Sequence, residues 1–110
     1  MLSVPQSKVG EVRTITITLE ETRTNIGFEI VSGNSKSEGI FISKLLDQRL
    51  AKGKNTLNIG DEILSANGVR VSGMSEVLAM ESIMSSSTVA ISVKYNPSGY
   101  LSARYKFYVR

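Results

Sequence analysis

The stretch LNIGDEILSANGVRV, residues 57–71, constrains this chain more than any other. It holds two turn dipeptides, Gly60-Asp61 and Asn67-Gly68, and Asn-Gly is a strong signal for a tight β-hairpin. Two short strands are expected within it. The segment VRTITITLEE alternates just as clearly. Val12, Thr14, Thr16 and Thr18 share one face, while Arg13, Ile15, Ile17 and Leu19 share the other. A period of two rich in β-branched residues marks a half-buried strand.

The remaining elements follow from the same patterns. Residues 1–11, with Pro5 and Gly10, read as a flexible leader, and 20–25 as a polar loop. Glu29-Ile30-Val31 is a strand that begins just after Gly27, and IFISKLL (40–46) is apolar enough for a central strand. DQRLAKGKNT (47–56) is a short helix or turn closed by Gly53. SEVLAMESIMSS (75–86) switches to helical spacing, with Ser75 as its cap and Ala79 and Ile83 stacked at i and i+4. TVAISVKY (88–95) is the last strand of the body. Beyond NPSG, residues Leu101, Ala103, Tyr105, Phe107 and Val109 alternate, which predicts an added C-terminal strand over 100–109. The order β-β-β-short α-β-β-α-β describes a mostly antiparallel α+β domain.

Length and composition limit the function. The 110 residues suffice for one domain with a modest core. No apolar run reaches the roughly 18 residues needed to span a bilayer, and the first ten residues lack the apolar core of a signal peptide. Cysteine and histidine are both absent. That excludes disulfides, thiolate nucleophiles, a Ser-His-Asp triad and imidazole metal sites. The adjacent acids Glu20-Glu21 and Asp61-Glu62 read as exposed turn or surface residues, so no catalytic set forms and neither enzyme activity nor a cofactor is expected. The absence of cysteine is compatible with a cytoplasmic location. Charge is uneven: residues 1–93 hold 9 Lys+Arg and 10 Asp+Glu, whereas Lys94, Arg104, Lys106 and Arg110 give 94–110 a net +4.

One position stands apart. Gly27 lies between Ile26 and Phe28 at the mouth of a strand. A glycine there marks either a plain turn or a place where another backbone or a ligand comes close. With this loop, four features in order resemble an animal-type PDZ domain: NIGF (25–28), EGIFISKL (38–45), NIGDEILSANGVRV (58–71) and SEVLAMESIM (75–84). The resemblance spans residues 12–95 and implies a small, partly open antiparallel β-barrel or sandwich of about six strands, with one short and one longer helix.

The resemblance also implies a function. A PDZ domain captures the free C-terminus of a partner protein, which adds as a strand between the second strand and the second helix. Backbone amides of Ile26, Gly27 and Phe28 would hold the ligand's carboxylate as an anion nest. Gly27→Val is then expected to abolish binding at much smaller cost to the fold. Asn25 stands where the family often has glycine and tolerates the turn. Arg23 would add long-range attraction. Ile26, Phe28 and Ile30 would line the groove alongside Glu29, with Met80 and Ile83 closing it from the helix; Ser43 and Lys44 would meet upstream ligand side chains.

Where many PDZ domains carry His at the start of the second helix, this chain has Glu76. Two readings stand. Glu76 accepts from a hydroxyl or basic side chain two places before a hydrophobic ligand terminus, or it only complements the helix dipole.

The basic extension 96–110 opens two other roles: weak contact with anionic phosphoinositide lipid at a membrane surface, or pairing with a sheet edge that occludes the groove or drives weak self-association. Otherwise a monomeric scaffold or adaptor module at the inner face of the plasma membrane or at cell junctions is expected, with no nucleic-acid partner.

Overall fold

The structure is a computed structural model that describes residues 9–18, 26–33, 39–52 and 56–104. Strands β1 (Val12–Thr18), β2 (Phe28–Ser32) and β3 (Ile40–Leu45) lead to a 3₁₀ turn, Gln48–Ala51. The hairpin of β4 (Asp61–Ala66) and β5 (Val69–Arg70) precedes helix α1 (Glu76–Ile83), strand β6 (Thr88–Tyr95) and helix α2 (Pro97–Arg104). The sheet runs β1-β6-β4-β3-β2 with β5 paired to β4, and every pairing is antiparallel. Among the described residues, β1 and β2 therefore stand at the two ends of that order, and β5 pairs with β4 alone.

Local chemistry accounts for most boundaries. Asn67 and Gly68 have φ of 48° and 81°, the left-handed values that a two-residue hairpin turn requires. Ser75 caps α1, its Oγ accepting from Leu78 N at 3.2 Å. In β1, Ile15 and Ile17 point into the core while Thr14, Thr16 and Thr18 stay exposed. The main core gathers these isoleucines with Phe28, Ile42, Ile63, Val89 and the α1 residues Ala79 and Ile83. Full burial of each large side chain contributes about 1.5–3 kcal/mol, so α1 is held chiefly by its inward face.

The C-terminal segment differs from expectation. Residues 97–104 form a helix, not a strand. Asn96 Oδ1 accepts from Gly99 N at 3.1 Å, and Pro97 occupies the first helical position, where its missing N–H costs nothing. The helix buries Tyr100 and Ala103, spaced at i and i+3, against Phe41. That contact covers the reverse face of the sheet and outweighs the alternation of Leu101 and Ala103. A Cβ on Gly99 would lie 2.9 Å from Phe41 Cζ, so glycine lets the helix settle this close. The rest of the expected strand, residues 105–109, lies outside the described residues.

Asp61-Glu62 also departs from expectation, because neither residue is exposed. Asp61 is 0% accessible and meets Arg13 at 2.7 Å, and it also accepts from Asn58 N at 2.8 Å. The Gly60-Asp61 turn directs the acid inward, beneath the guanidinium that β1 carries on its core-facing side. Glu62 accepts from Asn96 Nδ2 at 3.1 Å and lies 3.8 Å from Lys94 Nζ. Gly10, assigned to the leader, donates to Tyr95 O at 2.9 Å, so the body begins before β1. Residues 1–8, Leu19, Glu20-Glu21, Arg23, Asn25 and Gly53 lie outside the described residues.

Candidate functional site

Strand β2 pairs on one edge with β3, and its other edge faces α1. Between them runs a cleft of about 780 Å³. Phe28, Glu29 and Ile30 form its strand wall. The helix wall consists of Val77, Met80 and Met84 in the middle, with Glu76 and Glu81 bringing charge. An open strand edge beside an apolar cleft has unpaired backbone groups and side-chain pockets within a few ångströms of each other, which suits an extended peptide.

The cleft ends at the Gly27 loop. Gly27 has φ +95°, and a Cβ there would come 3.0 Å from Asp47 Cβ and 3.1 Å from Leu50 Cδ1. The position therefore favours glycine for its backbone angle, and a Cβ there would oblige Asp47 and Leu50 to give by a few tenths of an ångström. The Gly27 carbonyl accepts from Leu46 N at 2.8 Å and Asp47 N at 2.9 Å, which pins the loop to the end of β3. Ile26 anchors the loop from the other side, with its side chain wholly buried. A Gly27 substitution consequently strains the loop backbone, a folding cost to set beside the expected loss of binding.

Other expected site residues divide into two groups. Phe28, Glu29, Ile30, Glu76 and Met80 lie together on the cleft. Ile83 is fully buried in the core and does not line it; Met80 and Met84 hold the helix wall. Lys44 sits opposite Glu29 in the β2–β3 ladder, while Ser43 falls at a register shift, and neither lines the cleft. Val77, Glu81 and Met84 were missed from sequence. Their signal was the spacing itself, because 77, 80, 81 and 84 share one helical face.

Glu76 has a definite partner. Its Oε2 accepts from both Ser32 N and Ser32 Oγ, each at 3.0 Å, so the carboxylate bridges from α1 to the end of β2. Among the tail cations, Lys94 is near Glu62 and Arg104 donates to Tyr100 Oη at 2.8 Å; Lys106 and Arg110 lie outside the described residues. Among the described residues no group of His, Cys, Asp or Glu is placed to hold a metal ion, and no helix is long and apolar enough to cross a membrane.

The profile of the PDZ domain matches residues 14–94. Disks large homolog 2 of Rattus norvegicus is 37% identical over 92 residues, which cover 83% of this chain and 10% of that protein. Protein lin-7 homolog B of Bos taurus is 30% identical over 89 residues, covering 80% of this chain and 44% of the relative. The chain thus spans a small part of the first relative and under half of the second. Among solved structures, the PDZ2 domain mbDLG-2 of the choanoflagellate Monosiga brevicollis superposes with a TM-score of 0.65 at 28% identity, covering 78% of this chain and all of that one. The PDZ3 domain mbDLG-3 of the same organism, at 24% identity and TM-score 0.65, shares the fold. With an open-edged β2, a cleft against α1 and a profile match across the sheet, this chain belongs to the PDZ domain family of non-enzymatic protein-interaction modules.

Proposed function

We propose that the chain captures the free C-terminus of partner proteins by strand addition in the cleft between β2 and α1. The observation that carries this reading is the open edge of β2 running from the Gly27 loop along an apolar cleft. The ligand's carboxylate rests on the loop amides of Ile26, Gly27 and Phe28, and its last side chain, a hydrophobic one, enters between Phe28, Met80 and Met84. Ile83 supports the helix wall from the core, while Ser43 and Lys44 act on ligand side chains beyond the cleft. Glu29, Glu76 and Glu81 bring negative charge to the walls, and no Lys or Arg is among the described residues that line the cleft. A ligand with a hydroxyl or basic residue two places from its end fits that field, and an acidic one does not.

Short peptides bury little surface and lose freedom on binding, so affinities on the order of micromolar are expected. The test compares fluorescent C-terminal peptides with their C-amidated twins. Free acids should bind and amides should lose most of their affinity. Equal binding of both would remove the carboxylate from the recognition and overturn this reading.

Kinship with Disks large and lin-7 homologs supports a scaffold or adaptor role in cell polarity, at the inner face of the plasma membrane or at cell junctions. Uniform distribution of the tagged protein in polarised cells would count against that placement.

A further inference from the structure

Strand β2 ends at Ser32, and α1 begins at Glu76. The two hydrogen bonds between these residues cross the cleft, both ending on Glu76 Oε2 at 3.0 Å. Their direction follows from strand alternation. The next amide, Gly33 N, donates toward the β3 side, to Gly39 O at 3.1 Å. Successive amides of a strand point to opposite edges, so Ser32 N faces the open edge. It is a backbone donor that an added strand would use.

The register identifies which ligand residue would use it. In antiparallel pairing, one step forward along β2 is one step back along the ligand. If the ligand's last residue lies opposite Phe28, the third from the end lies opposite Ile30 and the fifth opposite Ser32. The carbonyl at that fifth position would have to displace Glu76. It would offer a neutral acceptor in exchange for a carboxylate, and charge-assisted hydrogen bonds are about twice as strong as neutral ones. The exchange is unfavourable.

We infer that Glu76 is an intramolecular stop for strand addition: it occupies the Ser32 amide, so backbone pairing with a bound C-terminus ends before the fifth position. The inference rests on the peptide-capture reading and adds a limit to it. Ligand selection is thereby concentrated in the last few residues, and upstream sequence acts through its side chains alone, against Ser43, Lys44 and the charges of Glu29 and Glu81.

The test uses acetyl-Thr-Arg-Val and acetyl-Ala-Thr-Arg-Val, both free acids, titrated by calorimetry into the full chain. Only the longer peptide places a carbonyl, that of its acetyl group, opposite Ser32. The native chain should bind the two within twofold. Glu76→Ala should bind the longer one about three- to tenfold more tightly, the range expected for one net hydrogen bond. Glu76→Gln, whose amide oxygen still accepts but without the carboxylate's charge, should fall between the native chain and Glu76→Ala. Amide exchange at Ser32 in the unliganded protein supplies a second measurement: it should accelerate most in Glu76→Ala and less in Glu76→Gln. A longer peptide favoured equally by native and Glu76→Ala chains, or Ser32 exchange unchanged by Glu76→Ala, overturns the stop and leaves peptide capture standing. Failure of both peptides to bind any variant overturns capture, and the stop with it.

Discussion

Arg13 and Asp61 form a two-pronged, partly buried ion pair, with Arg13 Nη2 2.7 Å from Asp61 Oδ2 and Nη1 3.3 Å from Oδ1. The pair ties β1 to β4 past the intervening β6, and Arg13 Nη2 also donates to Thr56 O at 3.1 Å. Removing one partner leaves the other charge in a place water barely reaches. Asp61→Ala is therefore predicted to cost about 3–5 kcal/mol of folding stability. Urea unfolding measures it, and a loss below about 1 kcal/mol, the level of an exposed pair, would show that Arg13 finds water or another partner.

Phe41 and Tyr100 pack with ring centroids 6.4 Å apart at 55°. Tyr100→Ala removes that ring and the acceptor of Arg104 Nη1, leaving Phe41 bare. A cost of about 3–5 kcal/mol is expected for a large-to-small change at a buried aromatic. A thermal midpoint close to that of the native chain would mean that α2 is dispensable to the domain.

Gly27→Val is predicted to lose peptide binding and stability together. A side chain at φ +95° carries a strain of about 1–3 kcal/mol, and the Cβ also presses on Asp47 and Leu50. Comparing its unfolding curve with the native one tests this. Unchanged stability in the Gly27→Val chain would refute the steric argument, and amidated ligands remain the cleaner probe of the carboxylate.

Glu81→Lys should leave the fold within about 0.5 kcal/mol, because the residue is exposed on the helix. It should weaken a ligand carrying Lys or Arg upstream of its terminus by several-fold at low salt, with the difference fading as ionic strength rises. Salt-independent losses would point to damaged packing rather than altered charge.

Much of this was legible from residue order because the deciding interactions are local. Asn67-Gly68 turns a hairpin through its own backbone angles, Ser75 caps α1 through an amide three residues on, and β1 alternates because a strand does. Gly27 stood out at the mouth of β2 as a turn or a close approach, and its φ of +95° is a local backbone demand that glycine meets.

The rest depended on partners distant in the chain. Asp61 looked like a turn residue until Arg13 was brought over it, and Glu76 read as a ligand contact or a helix-end charge until Ser32, 44 positions away, was placed against it. The alternation after Asn96 favoured a strand, but burying Tyr100 and Ala103 on Phe41 selected a helix. Ile83 and Met84 are neighbours of similar character, and only the seating of α1 on the sheet sends one into the core and the other to the cleft. Turns and caps are short-range geometry, and a sequence carries them openly. Burial, charge pairing and the choice of groove wall arise when the chain closes on itself, where desolvation and packing against remote residues outweigh local preference.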